Sequence, residues 1–141
     1  MFEDSITIFN KKYDPAKRDH NYIRTYLIGV NIEKKKAVNV IKSGLENASS
    51  GTIYIPTEDL DSENKEYISP KKYNQLSKEE VEKYYTFQNG DIVVSGIIDY
   101  TIDENNTITT LKNNFDDVFE IITIDNKLKG GLPHWEIALK W

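Results

Sequence analysis

Seven short segments rich in Ile, Val, Thr and aromatic residues recur along the chain at close spacing, separated for the most part by turn residues. That pattern is the strongest constraint on the fold, because β-branched and aromatic side chains suit a pleated, half-buried surface. The segments are 5–9 (SITIF), 22–30 (YIRTYLIGV), 37–41 (AVNVI), 52–56 (TIYIP), 92–99 (IVVSGIID), 118–124 (VFEIITI) and 134–141 (HWEIALKW). Together they predict a mainly β protein, a small antiparallel β-barrel or sandwich of about seven strands, formed as a single domain over residues 1–141.

The segments differ in how they should be buried. Asp14 and Pro15 turn the first two into a long hairpin. The second alternates Tyr22, Arg24, Tyr26 and Ile28 against Ile23, Thr25 and Leu27, so both of its faces carry apolar bodies and both should be covered. Lys34, Lys35 and Lys36 read as a solvated corner before the third strand, and SGLENASSG reads as a polar loop. Pro56 closes the fourth strand, since it cannot donate to a ladder. The continuous apolar run at 92–99 predicts a strand buried on both faces, with Gly96 marking a bulge or a close backbone approach. In the last strand Trp135, Ile137, Leu139 and Trp141 share one face, and His134, Glu136, Ala138 and Lys140 the other. It should form an antiparallel hairpin with 118–124 around the Gly130 and Gly131 pair.

Residues 57–90 have a different character: they are charged, poor in aliphatic side chains and interrupted by Pro70. This is the long inserted loop of the fold. Ser77 and Glu80 stand at capping-box spacing and predict a short helix over 77–85, while Pro70 suits the first turn of another helical piece. A weaker helical spacing links Leu111, Phe115 and Val118. Loops of such length in compact domains are often functional, and a merely tolerated insertion reads equally well from sequence.

The residues offer little for catalysis. There is no cysteine, which removes disulfides, thiolate metal sites and a thiol nucleophile. His20 and His134 stand alone, and a metal site would have to recruit carboxylates across the fold. Acidic pairs such as Asp116 and Asp117, or Asp59 and Asp61, lie in polar segments where carboxylates mainly solvate. Serines lack a nucleophile-elbow context, and Gly130 and Gly131 lie between strands rather than before a phosphate-binding helix. No enzyme and no cofactor is expected. A net charge of −5 with both signs interspersed argues against a general nucleic-acid binder. The N-terminal sequence lacks the pattern of a signal peptide, no stretch reaches transmembrane length, and the chain reads as a cytoplasmic product with no membrane partner.

The blocks DSITIFN, YIRTYLIGV, VIKSGL, TIYIP, FQNGDIVVSG and FEIITIDN with GGLPHWEIALK resemble, in that order, a family of small uncharacterised proteins encoded in structural gene clusters of phages and prophages of Gram-positive bacteria. Their arrangement is similar to that of phage head-closure proteins, also called stopper or head-tail joining proteins. The resemblance implies a non-enzymatic neck protein: a homo-oligomeric ring between portal or adaptor and tail, through which DNA passes without sequence-specific binding. It implies assembly in the host cytoplasm and residence in the virion neck. A tail terminator or minor capsid protein of the same cluster is the alternative, and a monomeric β-barrel binding module is a further one. The long loop would reach the channel or a neighbouring subunit, which makes Tyr67, Pro70, Tyr73, Tyr84 and Tyr85 candidate contact residues; Trp141 at the end of the last strand is the sixth, held for a neighbour or covering the barrel end.

Overall fold

The computed structural model describes residues 3–41, 44–58, 60–127 and 133–140, with the main chain alone for 35–41 and 44–49. The structure is mainly β, with eight strands among the described residues: β1 (Asp4–Asp14), β2 (Asp19–Ile41), β3 (Gly44–Pro56), β4 (Glu66–Tyr67), β5 (Tyr84–Tyr85), β6 (Ile92–Ser95), β7 (Val118–Lys127) and β8 (His134–Lys140). Six of them close into an antiparallel barrel in the order β1-β2-β3-β8-β7-β6, while β4 and β5 form a small parallel pair within the inserted segment.

Alternation along the strands builds two cores. Inside the barrel, Ile6, Ile8, Leu27, Ile53, Val93, Phe119, Ile137 and Leu139 pack together at 0–1 % exposure. On the outside of β1 and β6, Phe9, Ile92 and Val94 form a second core with Leu111 and Val118. Pro70 opens the one-turn helix α1 (Pro70–Tyr73) in the inserted segment, as its position in the sequence predicts. Residues 96–117 run over the outer face of the barrel as a strap, and the strap carries helix α2 (Ile108–Asn114). The continuous apolar run of β6 is explained by this arrangement: Val93 faces the barrel interior, and Ile92 and Val94 face the strap. Tyr22 also packs under the strap, and Tyr26 sends its hydroxyl to the Ile98 carbonyl at 2.8 Å, so β2 is covered on both faces there.

Several expectations are corrected. The lysines at 34–36 are not a corner, because β2 runs through them without a break and pairs Lys34 with Gly51, Lys35 with Ser50 and Lys36 with Ser49. The polar stretch after Ser43 is likewise strand from Gly44 onward; ladder bonds to β2 satisfy its main chain whatever its side chains prefer. β6 stops at Ser95, since Gly96 adopts φ +90° and turns the chain outward. The capping box forms, with Ser77 Oγ accepting from the Glu80 N–H at 3.2 Å, but it opens only a single 3-10 turn (Val81–Lys83) before β5. The turn at Gly130 and Gly131 lies outside the described residues.

Candidate functional site

β2 gives one edge to β1 up to Val30 and the other edge to β3 only from Asn31, so its middle would present open backbone groups. The inserted segment occupies that edge. Ile28 and Asp61 exchange both main-chain hydrogen bonds, at 2.8 and 2.9 Å. The Tyr26 N–H donates to Glu63 Oε1 at 2.8 Å, and Lys65 Nζ donates to the Arg24 carbonyl at 2.8 Å and to Thr25 Oγ1 at 2.9 Å. Burial lowers the pKa of the Lys65 ammonium, with Glu63 and Glu82 opposing the shift. The segment therefore guards a strand edge that would otherwise be free to pair with another chain.

The insert's aromatic residues then turn inward. Tyr67 stacks on Phe87 at 5.4 Å and lies 4.8 Å from Trp135, with Tyr85 packed edge-on at 5.9 Å. Tyr73 and Tyr85 are buried in this chain at 0 and 6 % exposure, and burial pushes both hydroxyls up, Tyr85 to about 12. Pro70 is half-buried at the first position of α1, and Tyr84 is half-buried in β5. Of the six candidate contact residues, Tyr73 and Tyr85 thus fill the chain's own interior, Tyr67 packs against the core but stays half-buried, Pro70 and Tyr84 are likewise partly accessible, and Trp141 lies outside the described residues. The final strand follows its alternation, with Ile137 and Leu139 buried and His134 sharing the other face with Glu136, Nε2 to Oε1 3.1 Å.

Sequence spacing does not single out the polar node that anchors the end of the insert. Asp91, fully buried, accepts from Asn10 Nδ2 (2.7 Å), the Lys11 N–H (3.0 Å), the Gln88 N–H (3.0 Å) and Gln88 Nε2 (3.3 Å). Burial raises its pKa to about 6 against the pull of those donors. Asn10, equally buried, uses its amide as a substitute strand: Nδ2 donates to the Thr86 carbonyl and Oδ1 accepts from the Thr86 N–H. The node joins β1, the end of the insert and the start of β6. Its sequence signal is the Asn89-Gly90-Asp91 turn, which explains a bend and says nothing of a buried carboxylate.

The acids chosen for their spacing have structural partners or open solvent. Asp117 bridges Lys34 at 2.9 Å, Asp61 pairs with Ile28, Asp116 is exposed, and Asp59 lies outside the described residues. Among the described residues no group of His, Asp or Glu converges as a metal site would require. Two open grooves of about 580 Å³ each flank the β1–β2 hairpin, and polar side chains there bond within the chain, as Lys17 does to Asn21 at 3.1 Å.

Two further features stand out. One is the far part of the β2–β3 pair: β8 meets β3 only as far as Ser50, so 35–41 and 44–49 extend past the barrel as a two-stranded ribbon. The other is a pair of exposed apolar side chains, Ile28 and Ile97, at 44 and 46 % exposure.

The sequence model of a family of unknown function, DUF6751, matches residues 1–140 of the chain. No curated protein and no solved structure matches it significantly.

Proposed function

We propose that the chain, which belongs to the DUF6751 family of unknown function, is a non-enzymatic structural subunit of a phage or prophage particle, a head-closure protein of the neck that assembles with its own copies and with portal-side and tail-side partners. The observation that carries this reading is the ribbon. Its ladder from Lys35 with Ser50 to Ile41 with Gly44 spans seven residue pairs, an arm of roughly 20 Å at the rise of a strand. A two-stranded hairpin on its own is marginally stable in water, and such an arm gains its stability when laid on another surface. A subunit built for assembly accounts for it, and the order of the sequence blocks, similar in arrangement to phage head-closure proteins, points the same way.

The test is particle composition and position. In particles produced from the phage or prophage that encodes the chain, the protein should be a stoichiometric component, and cryo-electron microscopy should locate it between portal and tail. Recovery only as free protein in the lysate would overturn the reading. Density capping the head-facing end of the tail tube, or within the capsid shell, would assign it instead to the tail terminator or minor capsid class.

A further inference from the structure

The wall of the barrel carries a surface that matches the ribbon in chemistry. Ser5 pairs with Ile28 on one side, and on the other its carbonyl accepts from the Gly96 N–H at 2.8 Å, which brings the exposed Ile28 and Ile97 to neighbouring positions around one point of β1. Beyond Ile28 lies Asp61, bonded to it through the main chain, and two residues on is Glu63. Beyond Ile97 lies Asp99, whose side chain is fully solvent-exposed and holds Arg24 only at 3.4 Å. Two large apolar side chains are therefore flanked by three exposed carboxylates. Exposed apolar side chains grouped within a polar rim mark interaction sites more often than scattered ones do.

We infer that this wall receives the β2–β3 ribbon of a second copy of the chain, so that successive subunits join head to tail through two different surfaces. Charge selects the occupant. The ribbon and its base, 34–41 and 44–50, carry three lysines and one glutamate, a net +2, which leaves −7 on the remainder of a chain whose total is −5. The ribbon's sequence is also apolar enough for such a contact, with Val38, Val40, Ile41 and Leu45 among its residues. The chain already uses this pairing internally at the foot of the ribbon, where Lys34 meets Asp117 at 2.9 Å. A ribbon that contacts a different patch on the next copy gives a heterologous interface, the type that closes into rings when the rotation permits. This inference rests on the assembly reading of the ribbon but not on the particle in which the assembly occurs.

The experiment is sedimentation of the full-length chain with paired charge reversals. Wild-type protein should self-associate at concentrations up to about 1 mM, and raising salt from about 50 mM to about 500 mM should weaken that association at least tenfold, as screened charge contacts do. Two variants, K35E with K36E on the ribbon and D61K with D99K on the wall, should each be monomeric with unchanged circular dichroism. Mixed together they should form a heterodimer, because the reversed ribbon fits the reversed wall. A wild-type chain that stays monomeric throughout that range, or variants that associate as wild type does, would overturn the inference. So would a ribbon that binds duplex DNA in the same salt range while leaving the chain monomeric. Absence from the virion would remove the particle assignment and leave this result standing.

Discussion

Asp91 shows how a single buried group can set the pH response of the whole chain. Its carboxyl has a pKa of about 6 in the fold against 3.8 for the free side chain, so the native state holds the proton more tightly than the unfolded state does. Its contribution to stability is therefore fully present below about pH 4 and is lost as pH rises through about 6, a difference on the order of 3 kcal/mol. Urea unfolding of wild type and D91N should show this directly: the stability difference between them should shrink, or change sign against the wild type, from about pH 4 to about pH 7. A constant difference would mean that Asp91 is not perturbed. Asn10 offers a second test, since N10A strips partners from the Thr86 N–H and carbonyl and from Asp91 together. The loss should be about 2–4 kcal/mol by chemical denaturation, in the range for buried polar groups left unpaired.

At the scale of elements, alternation is what the sequence makes legible. Strict period-two patterning places Ile137 and Leu139 in the interior, and a continuous apolar run identifies β6 as a doubly covered strand. The lysine corner and the polar loop fail as expectations because side-chain polarity says nothing about a main-chain ladder; only the partner's register reveals it. Tyr73 and Tyr85 are legible as aromatics of an unusual segment but not as interior groups, and the packing of Tyr67 on Trp135 and of Tyr85 in the barrel core depends on partners far away in sequence. The strap makes its own prediction. Leu111, fully buried on α2, closes the outer core, and L111A should cost about 2–5 kcal/mol in thermal or urea unfolding. T107A, which removes the N-cap hydroxyl that accepts from the Thr110 N–H, should cost about 1 kcal/mol.

For the whole molecule, the barrel and the ribbon should be energetically separable. The barrel's hydrogen-bonded ring closes through β6 and β8 without the ribbon. Replacing 36–48 by a tight Asn-Gly turn should therefore leave the urea midpoint close to wild type, with a change under about 1 kcal/mol, because an isolated ribbon contributes little net stability. A large loss would show that the ribbon folds back on its own barrel. Such a finding would move the search for an assembly arm to the hairpin between β1 and β2.

Gly29 stands where β2 exchanges one partner for the other: the ladder with β1 ends at Val30, the ladder with β3 begins at Asn31, and the glycine has φ +101°. β2 and β3 are both covalently continuous from the ribbon into the barrel, so a force applied to the ribbon enters the wall through two strands, β3 held there by β8 and β2 by β1 beyond the bend at Gly29. Pulled along its length, the ribbon loads its ladder in shear, with many bonds resisting at once. Pulled sideways, it turns the paired strands together and transmits torque to both. An assembly of such subunits would be stiff along the ribbon direction and more compliant across it.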